Sequence, residues 1–582
     1  MIFKKPLFLF LLILGIAIFL RTYMVTQIPP GVNRDEASIG YTAYSLLLTG
    51  KDEYARPYPI SFQSFGDWKL PLYIYATVPA VYFFGLNEFA VRIVSVLVGI
   101  GTVALTYFLV LELFKKRSLG LITMFLVAVA PWHIHLSRVG SESNTAVFLI
   151  TGAILLFLKG FNGRTYLFIP SGALLALTYY TYAGNFIFTT LLVCVLFLIY
   201  RSRIPRDKYV YIGLFLFVIL SAFIFAYTVL DANMTKLSGI SIFGDPSIVS
   251  ERINVPRSEH ANKIFFTKLI HNKVVLAGGK IAENYLSSFS SQFLFTKGGD
   301  NNAHNIPNFG NMYLVEAPFL FLGFTYLLFQ KKTKEGWLVL LWFLIAPIAS
   351  SITKDAPHTA RMFSIFPILP LVVALGIESA FSFISRKYAL VFMMSLIVIF
   401  SLNIFIYLDC YFVHFPINAG NSWGIGYQKL NQFLSLEDKK NKNVVITHSE
   451  YSPYIYLLFY SKYDPKKYQE NALRYPLTQD KFLHVKSFDR FEFRDIQWEK
   501  DFATKQESDA FYLPHASASA NTYYDEFEYR DIDWRKDYMG KNTILVDHIS
   551  YPYESRIHKP NQEINIIFTS YNKAMLFIIE DK

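Results

Sequence analysis

The stretch Asn33-Arg34-Asp35-Glu36-Ala37 stands just beyond an apolar run at about 7 to 25, the first of many such runs. Two adjacent carboxylates so close to hydrocarbon need water or counter-charges to stay ionised, and residues of this kind are functional candidates by default. Working outward, the chain has 582 residues, 53% hydrophobic, 17% aromatic and 17% charged. Its mean hydropathy is +0.31. That is too apolar and too long for one soluble core, so the sequence reads as a polytopic membrane protein.

The formal charge of +11 does not point to nucleic acid, because Lys and Arg fall in short clusters between apolar runs rather than in a stripe interleaved with aromatics. Cys194 lies in an apolar run and Cys410 follows the last one, so no disulfide framework and no Cys/His metal spacing is implied. No Gly-rich phosphate loop occurs, which argues against ATP-driven transport and a soluble nucleotide cofactor.

Segments near the ~20 residues that cross hydrocarbon fall at about 7–25, 89–114, 118–136, 144–160, 165–183, 185–200, 209–230, 313–330, 337–352, 362–381 and 388–408. The expected architecture is mainly α, a bundle of about eleven spans. The first run lacks a small-residue cleavage site and reads as an uncleaved anchor. Leu70 to Phe84 is also apolar, but counting it as a span would put Lys115, Lys116 and Arg117 outside, against the positive-inside rule. It reads instead as a helix at the outer interface, with Pro71 in its first turn. Lys4/Lys5, Lys115–Arg117, Lys159/Arg164, Arg201/Arg203/Arg206/Lys208, Lys331/Lys332/Lys334 and Arg386/Lys387 then share the cytoplasmic side.

This topology makes the N-terminus cytoplasmic and places outside a first loop (26–88), a long loop (231–312) and a C-terminal region, giving a membrane module over 1–408 and a second domain over 409–582. The C-terminal region is charged and Tyr-rich, with strand-like runs at 444–447, 543–546 and 564–569, so a small extracytoplasmic α/β domain is expected. Within it Phe491-Glu492-Phe493-Arg494-Asp495-Ile496-Gln497-Trp498 recurs as Phe527-Glu528-Tyr529-Arg530-Asp531-Ile532-Asp533-Trp534. Duplicated strands with a buried aromatic face explain the repeat better than glycan stacking.

Ionisable residues gather at the outer ends of the spans: Asp35 and Glu36, Asp67 and Lys69, Arg138 and Glu142, then Asp355, His358 and Arg361. Each alone has a structural explanation: Arg138 or Arg361 snorkelling to headgroups, Lys69 anchoring an interfacial helix, His358 as a loop residue. Together they suit a reaction between a hydroxyl and a sugar carried on a lipid phosphate. The departing phosphate needs fixed cations, for which Lys69, Arg138 and Arg361 are suited, Arg being able to engage phosphate oxygens bidentately. The acceptor hydroxyl needs a base, for which Asp35 is suited.

These residues also carry a resemblance. Asn33-Arg34-Asp35-Glu36-Ala37, Gly66-Asp67-Trp68-Lys69-Leu70-Pro71, Glu88-Phe89-Ala90-Val91-Arg92, Arg138–Glu142 and Pro357-His358-Thr359-Ala360-Arg361 together resemble the protein O-mannosyltransferase and aminoarabinose transferase group of the GT-C superfamily, in order and topology over about 1–410. The resemblance implies a polyprenyl-phosphate-linked sugar donor, inversion at the anomeric carbon, Asp35 as base or acceptor-orienting carboxylate, Lys69 and Arg361 on the lipid phosphate, and Glu142 in the substrate cavity. Asp35, Glu36 and Glu142 are thus expected in catalysis and Lys69, Arg138, His358 and Arg361 at the donor phosphate. Asp67, Tyr182, Asn185, Asp300 and His304 are expected to line the cavity.

Two departures stand out. Asn185 follows the Tyr-rich run where the family often has Arg, and the acid before Lys69 is displaced to Asp67, which puts any metal site built on that acid in doubt. A divalent ion is compatible with Asp35 and Glu36 but not required, so no cofactor is implied. The acceptor is a lipid, protein or cell-envelope glycan, and the plasma membrane the expected location. A polyprenyl-lipid or polysaccharide transporter is the alternative, but it would place charges at mid-membrane and show repeat symmetry. A membrane-anchored binding protein would leave Asp35, Lys69 and Arg361 unexplained.

Overall fold

The computed structural model describes residues 6–65, 67–230, 250–259, 264–329, 333–447, 452–476 and 483–494, together with the backbone of 510–511, 530–531, 543–548, 563–570 and 573–580. Lys4, Lys5, Lys331, Lys332, part of the 231–312 loop, the side chain of Asp67 and most of the 527–534 repeat lie outside the described residues.

The chain divides into two units. One holds Met1–Val25, Trp68–Ala76 and Arg92–Val413; the other holds Thr26–Asp67, Thr77–Val91 and His414–Lys582. This cuts the chain differently from a boundary at 408/409, because most of the first loop packs with the C-terminal region. Sequence periodicity reports local elements, and nothing local marks a pairing of segments almost 400 positions apart.

The first unit is helical. Long apolar helices Glu88–Phe114, Glu142–Gly160, Lys208–Thr228, Lys334–Ser351 and Ala389–Asn418 have the length and composition to cross a membrane. Two further pairs, Arg117–Val129 with Pro131–Arg138 and Thr359–Ile365 with Ile368–Phe383, qualify if each is one bent span. Described helices therefore support five to seven spans by this measure, against the eleven apolar segments of the sequence. Shorter helices occupy Pro6–Thr22, Pro71–Phe84, Asn185–Tyr200 and Leu314–Phe329, and the 165–183 segment is broken into Thr165–Leu167, Phe168–Leu177 and Thr178–Tyr180.

Both bends, 57° and 54°, have a cause in the sequence. Ala130 precedes Pro131 and takes ψ 124°, and Phe366 precedes Pro367 and takes ψ 146°. The proline ring excludes the helical region for the residue before it, so the helix must turn there.

Helices meet closely where both lack a side chain. A Cβ on Gly323 would lie 1.8 Å from the Val372 carbonyl oxygen, and one on Gly376 1.8 Å from that of Phe319. Gly172 and Gly213 make a second such crossing, with Cβ positions 2.1 and 2.3 Å from facing carbonyl oxygens. With no hydrophobic drive between helices in lipid, backbone approach through small residues is how they associate.

The second unit contains a mixed sheet. Its strand order is Glu563–Ser570, Lys573–Glu580, Thr543–His548, Asn443–Ile446, Phe491–Phe493, Val485–Phe488 and Leu473–Arg474. Asn443–Ile446 runs parallel to both of its neighbours and the remaining pairs are antiparallel. The first copy of the aromatic repeat forms a strand with Phe491 and Phe493 buried and Glu492 half-buried, the alternation expected of one covered face.

Helix Arg34–Thr49 is built into this unit. Gly40 lets the Phe459 ring approach so closely that a Cβ would lie 2.6 Å from it. Tyr41 donates to the Tyr463 carbonyl at 3.1 Å, and Gln469 donates to Ser45, Thr49 and the Asp52 carbonyl at 2.9–3.1 Å.

Candidate functional site

In the second unit, Asp35 and Glu36 occupy the first turn of helix Arg34–Thr49, where the exposed N–H groups and the helix dipole favour negative charge. Asn33 is the N-cap: its side chain accepts from the Glu36 N–H at 2.8 Å, and Glu36 Oε2 accepts from the Asn33 N–H at 3.4 Å. This reciprocal capping box gives the fully buried Glu36 a structural task that the dipeptide alone did not reveal. Asp35 is half-buried and acts electrostatically on Tyr456, while the exposed Arg34 lies over the Phe65 ring at 4.8 Å. Gly31, at φ 72°, keeps the approach to this helix open beside the Trp423 carbonyl oxygen, which a Cβ would meet at 2.6 Å.

In the first unit, the structure gathers Tyr182, His304, His358 and Arg361. Arg361 is ion-paired with Asp355, donates to Thr353 Oγ1 at 2.9 Å and is hydrogen-bonded to Tyr182. His358 caps the short helix Thr359–Met362: its Nδ1 accepts from the Arg361 N–H at 3.3 Å and its own N–H donates to Ser350 Oγ at 2.9 Å. The His304 and His358 rings are 5.1 Å apart, and Thr359 Oγ1 bonds Asn305 Oδ1 at 2.5 Å, fastening the 299–305 turn to the helix start.

Burial, then the Arg361 charge, push His358 well below the usual histidine range, with Asp355 opposing. His358 is therefore neutral near pH 7, and with Nδ1 accepting its proton sits on Nε2, 3.8 Å from Asp355 Oδ2. The expectation of His358 as a cationic phosphate ligand changes accordingly: it offers an N–H, not a charge. Burial pushes the Asp355 carboxyl up, but the Arg361 guanidinium outweighs this and holds it below the usual carboxylate range.

Other expected residues are engaged elsewhere. Arg138 is fully buried, donates to the Leu20 carbonyl at 2.8 Å and faces the rings of Tyr411 and Phe412 at 5.4 and 5.2 Å. Arg92 and Arg21 are also fully buried. Arg92 donates to the Val25 carbonyl at 2.7 Å, and Arg21 to the carbonyls of Ala17, Val127 and Ala128 and to His133 Nδ1. Arg138 thus satisfies a carbonyl at the end of the first helix, Pro6–Thr22, and Arg21 two at the end of Arg117–Val129, positions that lack a helical partner. Arg21, within an apolar run, was the available signal for this set.

Glu142 opens helix Glu142–Gly160 behind the Ser141 cap. Lys69 ends a short strand and is 3% exposed. Asn185 Nδ2 donates to the Thr178 carbonyl and Thr181 Oγ1, both at 3.3 Å, bridging the break before its helix. Asp300 is paired with Lys297 at the surface, 2.8 Å apart. Among the described residues no three His, Cys, Asp or Glu side chains are grouped to hold a metal.

Residues 69–226 match a family model described as dolichyl-phosphate-mannose-protein mannosyltransferase. The chain resembles the GT-C glycosyltransferases. Among solved structures, the apo oligosaccharyltransferase of Archaeoglobus fulgidus is 14% identical, with a TM-score of 0.46, over 79% of this chain and 64% of that one. ArnT from Cupriavidus metallidurans bound to undecaprenyl phosphate is 12% identical, TM-score 0.45, over 78% and 84%. The Pmt1–Pmt2 complex of S. cerevisiae bound to its sugar donor is 16% identical, TM-score 0.31, over 43% and 37%. The chain thus spans 64% of the archaeal enzyme's length. No curated protein matches it.

Proposed function

We propose that this GT-C-like membrane protein transfers a sugar from a polyprenyl-phosphate donor to an acceptor hydroxyl or similar nucleophile at the outer face of the plasma membrane, with inversion. The observation that carries the reading is the family match over 69–226, which begins at the lysine expected on the donor phosphate. Asp35 removes the acceptor proton as the hydroxyl attacks the anomeric carbon. The bond from that carbon to the phosphate oxygen breaks, and the electrons stay on the phosphate.

Lys69 and Arg361 carry the growing phosphate charge, with Arg138 contributing positive field from within and neutral His358 an N–H. Glu36 holds the helix that presents Asp35, so it is a positioning residue in this scheme; Glu142, Tyr182 and His304 line the cavity. The N-terminus lies in the cytoplasm, and the acceptor is a lipid, protein or envelope glycan.

The test is transfer of radiolabelled sugar from a panel of polyprenyl-phosphate sugars to host-membrane extract, by purified wild-type protein and Asp35→Asn. A positioned base contributes about 10²–10⁴-fold, so labelling should fall by that factor in a variant that stays folded. Labelling untouched by the substitution, or no donor consumed, sinks the reading.

A further inference from the structure

We infer that Asp355 is a built-in stand-in for the donor phosphate: its carboxylate occupies Arg361 while the site is empty, and an arriving lipid phosphate displaces it. The inference rests on the reading of Arg361 as a donor-phosphate residue.

The pair is asymmetric. The Arg361 side chain is 13% exposed and that of Asp355 47%. Arg361 is held by the Thr353 and Tyr182 hydroxyls, and its own N–H is held by His358. It cannot follow the carboxylate outward without breaking these bonds. Asp355 lies on the 352–357 turn between two helices and can swing into water while the helices stay in place. One partner is built in and the other is a latch.

The latch has the shape of an anion. One oxygen of Asp355 takes Arg361, and the other faces His358 Nε2 at 3.8 Å. Since His358 Nδ1 accepts from the Arg361 N–H, the ring proton sits on Nε2, the nitrogen 3.8 Å from that second oxygen. Two oxygens of a phosphate would meet the same two donors. Charge does not oppose the exchange: the phosphodiester of a lipid-linked sugar bears one negative charge, as a carboxylate does, the free lipid phosphate bears more, and Arg engages phosphate oxygens bidentately. With its carboxylate half exposed, the pair is screened by water on that side and resists displacement weakly.

Removing the latch leaves the guanidinium in place with its charge uncompensated in the empty protein, a cost that an incoming anion relieves. Asp355→Asn should therefore bind undecaprenyl phosphate roughly two- to fivefold more tightly than wild type, the ratio an exposed pair corresponds to. The donor KM should fall by a similar factor with kcat little changed. Arg361→Gln should lose the binding in either background.

The experiment is titration of undecaprenyl phosphate, and separately of inorganic phosphate, into full-length protein in detergent, for wild type, Asp355→Asn, Asp355→Ala and Arg361→Gln. The alanine variant removes the carboxylate without the amide, so the two together exclude a local effect of either replacement. Tighter lipid-phosphate binding in both Asp355 variants supports the stand-in. Unchanged or weaker binding overturns it and makes Asp355 a positioning partner of Arg361, as would rescue of lost binding by Asp355→Glu.

A gain for inorganic phosphate with none for the lipid form overturns the lipid assignment, as does failure of any form to bind the lipid. Because binding is read without turnover, the two claims separate. A chain that transfers sugar but shows no gain refutes only the stand-in. One that shows the gain but transfers nothing refutes only the transferase.

Discussion

Two acidic dipeptides lie seventeen positions apart in the same unit, Asp35-Glu36 and Asp52-Glu53, and the protein puts them to opposite uses. The first opens a helix. There the backbone supplies the stabilising N–H groups, Glu36 is drawn into the capping box, and Asp35 stays half-buried at the start of the helix. The second sits in a turn and is wholly buried.

Asp52 Oδ1 accepts from the N–H groups of Tyr54 and Arg56, both at 2.9 Å, and Oδ2 from the Arg56 side chain at 2.6 and 2.8 Å. Glu53 Oε1 accepts from the Tyr454 hydroxyl at 3.4 Å, while its Oε2 has no hydrogen-bond partner among the described residues. Burial first, then the Asp52 charge, push Glu53 up to about 8, with Arg474 and Arg56 opposing. Two neighbouring acids are therefore not in themselves a signal of chemistry. What decides is whether backbone and arginine consume the carboxylates.

The contrast breaks most visibly on activity against stability. Asp35→Asn should reduce sugar transfer by about 10²–10⁴-fold with little change in unfolding temperature. Glu53→Gln should do the reverse, with an effect on stability that grows with pH. An unfolded glutamate titrates near 4.5 and the folded one near 8. Folding stability is thus complete below the lower value, declines as pH rises between the two, and has lost the whole contribution above 8.

The variant, which cannot ionise, should be flat over that window and more stable than wild type at pH 8 by a few kcal/mol at most, one unit being about 1.4 kcal/mol. Thermal unfolding of the protein in detergent from pH 5 to 9 checks this; parallel profiles for the two proteins would mean Glu53 is not the group responsible. Asp52→Ala strips acceptors from two backbone N–H groups and the partner from Arg56, and should cost about 2–3 kcal/mol, seen as a lower unfolding temperature across the same range. If Asp52→Ala instead matched Asp35→Asn, with transfer lost and stability kept, the contrast would be reversed.

The same contrast marks what could be read in the sequence. Apolar runs gave helices at the expected places because a buried or lipid-facing segment must be apolar along its length. The strand-like runs at 444–447, 543–546 and 564–569 correspond to Asn443–Ile446, Thr543–His548 and Glu563–Ser570. Asp35 and Glu36 stood out because charge next to an apolar run is rare. Their unequal roles did not, because the capping box depends on the backbone angles of Asn33.

The neutral state of His358 depends on burial and on Arg361 nearby, and the task of Arg21 on carbonyls more than a hundred residues away. The Gly40–Phe459 approach, which joins the first loop to the C-terminal region, leaves no periodic trace. Signals carried by one element were legible. Those made by two distant segments were not.

The smallest expected effect sharpens the comparison within the first dipeptide itself. Asn33→Ala removes the acceptor for the Glu36 N–H at 2.8 Å, and loss of such a cap costs about 1 kcal/mol. If Glu36 acts by holding the helix, this substitution and Glu36→Ala should lower stability by similar amounts. Their double variant should then cost less than the sum, because both remove the same reciprocal pair. Transfer by Asn33→Ala should fall only modestly, since Asp35 keeps its carboxylate and its place in the first turn.

A Glu36 that takes part in the chemistry behaves differently: Glu36→Ala would lose far more activity than Asn33→Ala at equal stability, and restoring a carboxylate one methylene shorter with Glu36→Asp would recover part of it. The cycle of unfolding temperatures and transfer rates over these variants therefore separates a carboxylate that holds the helix from one that touches substrate, two residues that the sequence alone presents as equals.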